Sequence, residues 1–425
     1  MSQSLDQRTR AQQHGPRQVV AASVGNAVEW YDWYLYTFLT PVFARQIFGG
    51  DEVSAVLASF AVFAVGFFLR PLGGLLIGSL ADRWGRKNTL TLTILAMGFG
   101  SLVLAVSPTY AQVGLWSPVV FVLGRLICGL SVGGEFAANT TFLVESAPRG
   151  RRGLYSSFQY VSTTVGQLLA SGLAALLAAR LTDEQLAGWG WRVGFAVGAL
   201  LALVGLLIRR AAEETRAPVA PAERPGVFEA LRRYPRQSAL ICGVTVGGTI
   251  AYYTWTTYLP TYAQQGGVPL ERALLVSTIS LAFFGLVQPL VGHLSDRVGR
   301  RPVLLTFTVV FGLGVVPGLA LVRSASSFGG LLTVSLIGML VLAAFTSISA
   351  AVNAEIVPGR VRAAGIGFPY SLTVAAFGGT APFVGTLFGR LGHPALFGWW
   401  VALLVAVTFV VVLVALPESA HRDLD

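Results

Sequence analysis

Five ionisable residues fall inside stretches that otherwise read as lipid-embedded helix. They are Glu29 and Asp32 in a first apolar segment, Arg70 in the second, and Arg125 and Glu135 in the fourth. A charge at mid-bilayer costs roughly 2.5–3.5 kcal/mol on insertion scales, and such residues mark ion or substrate pathways and proton relays. Glu29 and Asp32 are spaced to share one helix face. Two carboxylates side by side in a low dielectric repel, and relief of that repulsion lets one of them load and release a proton. The plainer alternative is structural: either acid simply neutralises Arg70 or Arg125. Each arginine stays charged and presents a planar fork suited to a carboxylate. That fork can take an anionic substrate, or it can hold Glu29, Asp32 and Glu135 ionised. Glu135 lies about 15 Å of helix rise beyond Arg125 and needs a partner on another helix. These residues are the expected proton-coupling set (Asp32, Glu29, Glu135) and the charged part of the substrate site (Arg70, Arg125).

The rest of the chain excludes other uses for them. Of 425 residues 54% are hydrophobic and 12% charged, whereas a globular protein carries about 25% charged residues. The net charge of +10 does not indicate nucleic acid, because most of the Lys and Arg gather in the N-terminal tail, alternate loops and the C-terminal tail. Arg45, Arg180, Arg192, Arg272, Arg323 and Arg390 are the ones in the opposite loops. This positive-inside asymmetry puts both termini in the cytoplasm. Met1 to Gln18 is polar and has no apolar core, so it does not read as a cleaved signal peptide. Cys128 and Cys242 fall in apolar spans and suggest neither disulfide nor metal. His14, His293, His393 and His421 show no metal spacing. Gly129-Leu-Ser131-Val-Gly133 fits a nucleophile-elbow pattern but lies in a membrane helix with no strand and no histidine. No catalytic constellation remains, and no enzyme is expected.

Twelve spans must position the charges. They run roughly over 18–43, 54–80, 89–107, 118–145, 154–178, 191–209, 238–263, 273–294, 302–322, 328–356, 363–389 and 395–416, each long enough to cross a bilayer. The domain organisation that follows is an N-terminal tail (1–17), a six-helix half (18–209), a cytoplasmic linker (210–237) with a short surface helix, a second six-helix half (238–416) and a C-terminal tail (417–425). The halves repeat. Gly78-Ser-Leu-Ala-Asp82-Arg83-Trp-Gly85-Arg86-Lys87 recurs as Gly292-His-Leu-Ser-Asp296-Arg297-Val-Gly299-Arg300-Arg301. Glu145-x-x-Pro148 recurs as Glu355-x-x-Pro358, and in the same register Arg152 matches Arg362, Phe158 matches Phe368 and Tyr160 matches Tyr370. Parallel halves about an axis along the membrane normal describe one class of secondary transporters, with the site between them near the midplane.

The loop repeat resembles the G-x-x-x-D-R-x-G-R-[KR] motif of the major facilitator superfamily, and Arg125-Leu-Ile-Cys-Gly129 through Glu135 resembles that superfamily's fourth-helix motif. Asn26-Ala-Val-Glu29-Trp30-Tyr31-Asp32 and Phe68-Leu-Arg70-Pro71-Leu-Gly73-Gly74 are similar to its metabolite:proton symporters. Tyr155-Ser-Ser-Phe158-Gln159-Tyr160, Gly166-Gln167 and Phe345-Thr-Ser-Ile-Ser349 are similar to bacterial members that carry α-ketoglutarate. The resemblance implies an all-α integral membrane protein with the major facilitator fold, twelve helices in two six-helix pseudo-repeats. It implies a monomeric inner-membrane carrier, without cofactor, that is driven by the proton gradient and imports a small carboxylate. Zwitterionic osmolytes such as proline or glycine betaine are the runner-up; the short tail after Pro417 has no heptad run, which lowers it. A membrane sensor or a channel is the alternative from another class.

Two further sets complete the expectation. An Asp at a helix end, a Gly for the turn and a following Arg pair can latch helices together at the cytoplasmic surface. Asp82, Arg83, Arg86, Asp296, Arg297 and Arg300 form that latch, with Glu145 and Glu355 as natural partners and Arg362 beside them. Cavity-facing polar and aromatic residues are Gln159, Tyr160 and Gln167 in the fifth span and Tyr253 and Trp255 in the seventh. Tyr370 joins them because the repeat sets it facing Tyr160. An interfacial belt is the plainer reading of aromatics near helix ends, as for Tyr262.

Overall fold

The computed structural model describes residues 16–84, 86–131, 140–141, 143–211, 231–325 and 327–420; at 16–25, 75, 77–90, 208–211, 360 and 363 it describes the backbone alone. Twelve long helices follow one another among these residues. In the N-terminal half they are α1 (Pro16–Phe48), α2 (Glu52–Trp84), α3 (Arg86–Val106), α4 (Trp116–Ser131 as far as it is described), α5 (Arg152–Arg180) and α6 (Trp191–Ala211). In the C-terminal half α7 starts as Pro235–Tyr253 and runs through a π turn at Thr254–Tyr258 into Leu259–Gln265. It is followed by α8 (Leu270–Val298), α9 (Arg300–Arg323) and α10 (Phe328–Ile356). Next, α11 runs over Arg362–Thr373, a π turn at Val374–Gly379, and Ala381–Arg390; α12 is Ala395–Val414. The polar stretch between α6 and α7, with its expected surface helix, lies outside the described residues.

Eight of the described helical stretches are long and apolar enough to cross a membrane. Their side chains are sorted opposite to those of a soluble bundle. On α8, Leu286, Leu290 and Leu294 face outward, while Phe284, Gln288, Gly292 and Ser295 are buried. Lipid tails reward no apolar burial, so polar groups go inside, where neighbouring helices can satisfy them.

The halves meet along two equivalent seams. α5 packs along α8, and α2 packs along α11. The loop repeat relates α2 to α8 and the second repeat relates α5 to α11, so one pseudo-two-fold operation carries each seam onto the other. Outside them, α3 packs with α6 and α9 with α12 in the same relation. The end of the α5–α8 seam nearest the loop repeat needs glycine on both sides: a Cβ on Gly153 or on Gly292 would run into the other's carbonyl. At the far end, the Tyr258 hydroxyl of α7 lies 3.1 Å from Thr386 Oγ1 of α11, and its ring meets Phe60 of α2 edge-on. Among the described residues contacts between the halves thus reach both ends of the bundle, at Gly153 and Gly292 and at Phe60 and Tyr258.

The two π turns are not foreseen from the sequence. Each lies where a large side chain meets glycine: Gly378 and Gly379 of the α11 turn lie against Tyr253 and Phe67, and Trp255 and Tyr258 of the α7 turn lie against Gly338 and Gly385.

Candidate functional site

The first link is the set of buried charges. Glu29 and Asp32 share a face of α1, as their spacing requires, yet they turn to different arginines. Arg125 Nη1 of α4 donates to Asp32 Oδ2 at 2.9 Å, and both side chains are sealed. Ser101 Oγ of α3 donates to Asp32 Oδ1 at 2.5 Å. The rings of Trp33, Tyr36 and Phe63 close round the guanidinium, with centroids 3.8, 4.6 and 5.6 Å away. Arg125 Nε and Nη2 have no hydrogen-bond partner among the described residues, so ring faces stand in for acceptors. Arg70 Nη2 of α2 meets Glu29 Oε1 at 3.3 Å. Its guanidinium lies 4.8 Å from the Trp30 ring and 5.2 Å from Phe67. The two acids are thus not a repelling carboxylate pair, as the spacing alone suggested. Each has its own counter-charge, because α2 and α4 approach α1 at different heights.

The second link is the seam. Tyr34 OH of α1 donates to Tyr252 OH of α7 at 2.9 Å, and the hydroxyls of Tyr160 (α5) and Tyr370 (α11) lie 3.2 Å apart. Both contacts cross between the halves. The Tyr252 ring meets those of Tyr160 and Tyr253 edge-on at 5.2 Å, and Tyr253 reaches Phe67 of α2 at 5.3 Å. Through Phe67, whose ring also lies 5.2 Å from its guanidinium, Arg70 stands beside this tyrosine cluster. On the same face of α5, Gln167 is fully buried with neither end of its amide bonded among the described residues, and Gln159 Nε2 is likewise unbonded. Buried amides without partners are costly in a bilayer and mark places where a polar ligand or water belongs.

Of the expected substrate residues, then, Arg70, Gln159, Tyr160, Gln167, Tyr253 and Tyr370 gather at the seam. Two do not. Arg125 is enclosed within the N-terminal half. Trp255 turns away into the C-terminal half, where its indole N–H bonds the Ser335 carbonyl at 3.1 Å and its ring packs on Phe311 and Gly338. Sequence reasoning did not single out Ser101, Trp30 or Tyr34. For Trp30 and Tyr34 a signal exists: they lie four residues apart, so they share a helix face, and their rings meet at 5.6 Å. A lone serine in an apolar helix such as α3 gives none.

The third link lies at the end of the bundle that carries the loop repeat. Asp296, at the end of α8, accepts from the backbone N–H groups of Gly153 and Leu154 at 2.8 and 3.0 Å, at the start of α5 in the other half. Arg300 Nη2 bridges Asp296 at 2.9 Å and Glu355 at 3.4 Å. Arg152 of α5 reaches Glu355 at 3.9 Å, and Arg362 reaches Glu145 at 2.6 Å, again across the halves. The C-terminal tail joins this cluster. Ser419 Oγ donates to Glu355 at 2.6 Å, and Glu418 accepts from the first N–H groups of α9, Arg300 and Arg301, at 2.8 and 3.0 Å. Partial burial works against the Glu418 carboxylate, but these bonds and those from Ser419 and Ala420 hold it below the usual carboxylate range. Arg297 is exposed and stays outside the cluster. Glu135 and the side chains of Asp82, Arg83 and Arg86 lie outside the described residues.

With this geometry in place, comparison with known proteins is informative. The Major Facilitator Superfamily profile matches residues 22–283 and 267–424. The chain is 40% identical to the alpha-ketoglutarate permease of Escherichia coli K12, over 92% of each protein. It is 33% identical to a putative proline/betaine transporter of Staphylococcus aureus strain COL, over 96% of this chain and 89% of that one. Among solved structures, a D-xylose-proton symporter superposes with a TM-score of 0.73 at 20% identity, over 96% of this chain and 99% of that one. The E. coli xylose transporter XylE, partially occluded and inward open, gives 0.69 at 19% identity, over 96% and 98%. At such identity the structures speak for the fold alone.

Proposed function

The chain belongs to the major facilitator superfamily and is a membrane transporter rather than an enzyme, and we propose that it imports a small dicarboxylate, α-ketoglutarate or a close relative, together with protons. One observation carries this reading: a permanently charged guanidinium, Arg70, stands beside Phe67, whose ring meets Tyr253 of the opposite half across the seam. A dianion entering a low-dielectric cavity needs a positive partner there, and the fork of an arginine suits a carboxylate. Gln159, Gln167, Tyr160, Tyr253 and Tyr370 supply hydrogen bonds to the remaining oxygens. The 40% identity to an alpha-ketoglutarate permease supports the same substrate class.

In this reading Asp32 carries the driving proton. While ionised it is locked to Arg125 and Ser101; protonation loosens that lock and lets α1, α3 and α4 shift against one another. The Tyr34–Tyr252 and Tyr160–Tyr370 contacts hold the halves together around the substrate. The Asp296–Arg300–Glu355 cluster, with Arg152, Glu145 and Arg362, keeps the cytoplasmic end shut until the halves rock. The carrier works as a monomer in the bacterial inner membrane, with both termini and the 210–237 linker cytoplasmic and no resident cofactor. Cysteines placed at Ser4 or Ala220 are therefore shielded from impermeant reagents added to intact cells; labelling of either contradicts the orientation.

A second reading has one observation in its favour. Trp30 stands beside Arg70, and an aromatic face suits a quaternary ammonium, as a betaine would present. Uptake into proteoliposomes under an imposed proton gradient, with labelled dicarboxylates, proline and glycine betaine, separates the two. Accumulation of α-ketoglutarate or a related dicarboxylate that collapses with a protonophore is expected. Accumulation of proline or betaine with no carboxylate carried overturns the dicarboxylate assignment.

A further inference from the structure

Glu29 and Arg70 lie one helical turn from the Asp32–Arg125 pair, but their setting differs. Their side chains are 8% and 11% exposed, against 2% and 0% for Asp32 and Arg125. The contact is 3.3 Å rather than 2.9 Å. Phe67, whose ring lies 5.2 Å from the Arg70 guanidinium, meets Tyr253 of the opposite half, and Tyr370 meets Tyr160 across the same seam. On the reading above, a ligand bound at this seam meets Arg70 and finds a carboxylate already there.

Two ionised carboxylates and one guanidinium carry a net negative charge in a low dielectric, and the repulsion between the acids opposes binding. Arg125 cannot help, because Asp32 and three aromatic rings enclose it. Nor can an ionised Glu29 simply step aside, because a buried charge left without its partner is strongly unfavourable. A neutral Glu29 carries no such penalty. The groups that set this balance are Arg70 on α2, Tyr160 on α5, Tyr253 on α7 and Tyr370 on α11, with Asp32 and Arg125 a turn further on.

We infer that Glu29 is an internal stand-in for the substrate: it occupies Arg70 in the empty carrier, and a substrate carboxylate takes its place only as Glu29 takes up a proton. The proton comes from the side on which the substrate enters and binds the Glu29 carboxylate. It leaves to the cytoplasm when the substrate does, and the Glu29–Arg70 ion pair re-forms. The empty carrier is then neutral at this position and free to return. This inference rests on the reading that the substrate is a carboxylate anion bound at Arg70.

Equilibrium binding of radiolabelled α-ketoglutarate to the purified full-length protein at pH 5.5 and 7.5 tests it. Wild-type protein binds about tenfold more tightly at the lower pH, because a site competent in about one carrier in ten shows a tenfold weaker apparent affinity. Glu29→Gln removes the competitor and keeps the shape. It binds at pH 7.5 about tenfold more tightly than wild type, with the pH dependence gone. If that variant does not fold, proton uptake on binding, followed with a pH dye in weak buffer, still decides. About one proton is taken up per α-ketoglutarate at pH 7.5, and the uptake persists in Asp32→Asn. Equal or weaker binding by Glu29→Gln at pH 7.5, or binding without proton uptake, overturns the inference and leaves the dicarboxylate reading intact. Absence of dicarboxylate binding at either pH overturns both.

Discussion

The two halves share a fold but not a chemistry. In the N-terminal half, α1, α2 and α4 hold Glu29, Asp32, Arg70 and Arg125 in the bilayer interior as two ion pairs. In the C-terminal half the register that carries Asp82 onto Asp296 carries Arg70 onto Phe284, and the register that carries Glu145 onto Glu355 carries Arg125 onto Ser335. Trp33 lies over the Arg125 guanidinium; Trp255 bonds the Ser335 carbonyl. Where one half has charge, the other has a neutral packed core, with Gln288 bonded to Thr346 at 2.6 Å between α8 and α10. Conversely, both π turns in the middle of a described membrane helix lie in the C-terminal half, in α7 and α11. In the proposed reading the difference divides the work: the N-terminal half holds the groups that answer to protons, and the C-terminal half has a backbone already loosened for bending. A symmetric fold can thus couple an asymmetric input, since a charge is needed on one side of the seam only.

The comparison can be broken in order of expected effect. Arg125→Lys keeps the charge and loses the fork and the aromatic packing. It leaves Asp32 poorly matched in a sealed site, and transport falls by about 2 kcal/mol, roughly thirtyfold. Substrate affinity in counterflow stays close to wild type, because Arg125 does not reach the seam. A large affinity loss without a rate loss places Arg125 in the substrate site and removes the division between the two pairs.

The Asp296–Arg300–Glu355 cluster belongs to both halves and gives a smaller effect. Asp296→Asn weakens the charge-assisted bonds to Gly153, Leu154 and Arg300 and shifts the carrier about tenfold toward the inward-open form. Labelling of a cysteine placed at Asn353, buried on α10 just inside the cluster, then accelerates by a similar factor. Unchanged labelling with weakened substrate binding contradicts the latch. Smallest is Tyr34→Phe, which removes one neutral hydrogen bond across the seam, about 1 kcal/mol. The occluded state becomes roughly fivefold less populated, seen as faster substrate release from preloaded protein. Slower release rules out the hydroxyl pair as a clasp.

Much of this was legible in the sequence. The repeated loop and the repeated Glu-x-x-Pro set the two halves, and the rarity of charge in the bilayer picked out Glu29, Asp32, Arg70 and Arg125 without any contact being known. The same repeat paired Tyr160 with Tyr370. What stayed hidden depends on the phase of one helix against another. Spacing set Glu29 and Asp32 on one face but said nothing of the heights at which α2 and α4 cross it, so the two acids read as one site. Helix phase also turned Trp255 inward onto Ser335, although its position along α7 matched that of Tyr253. The π turns add one residue to a helical turn where Gly378 and Gly379 pack against Tyr253 and Phe67. Glycine pairs occur too often in this chain to mark such a place.

The claim that the N-terminal half carries the proton through Asp32 is tested most directly by Asp32→Asn in proteoliposomes, with pH-driven accumulation and substrate counterflow measured on the same preparation. Asparagine keeps the shape and a hydrogen bond to Arg125 but cannot exchange a proton. Accumulation against the gradient falls to what the Glu29 proton alone can drive, while counterflow continues at a comparable rate. Full pH-driven accumulation by Asp32→Asn contradicts the account.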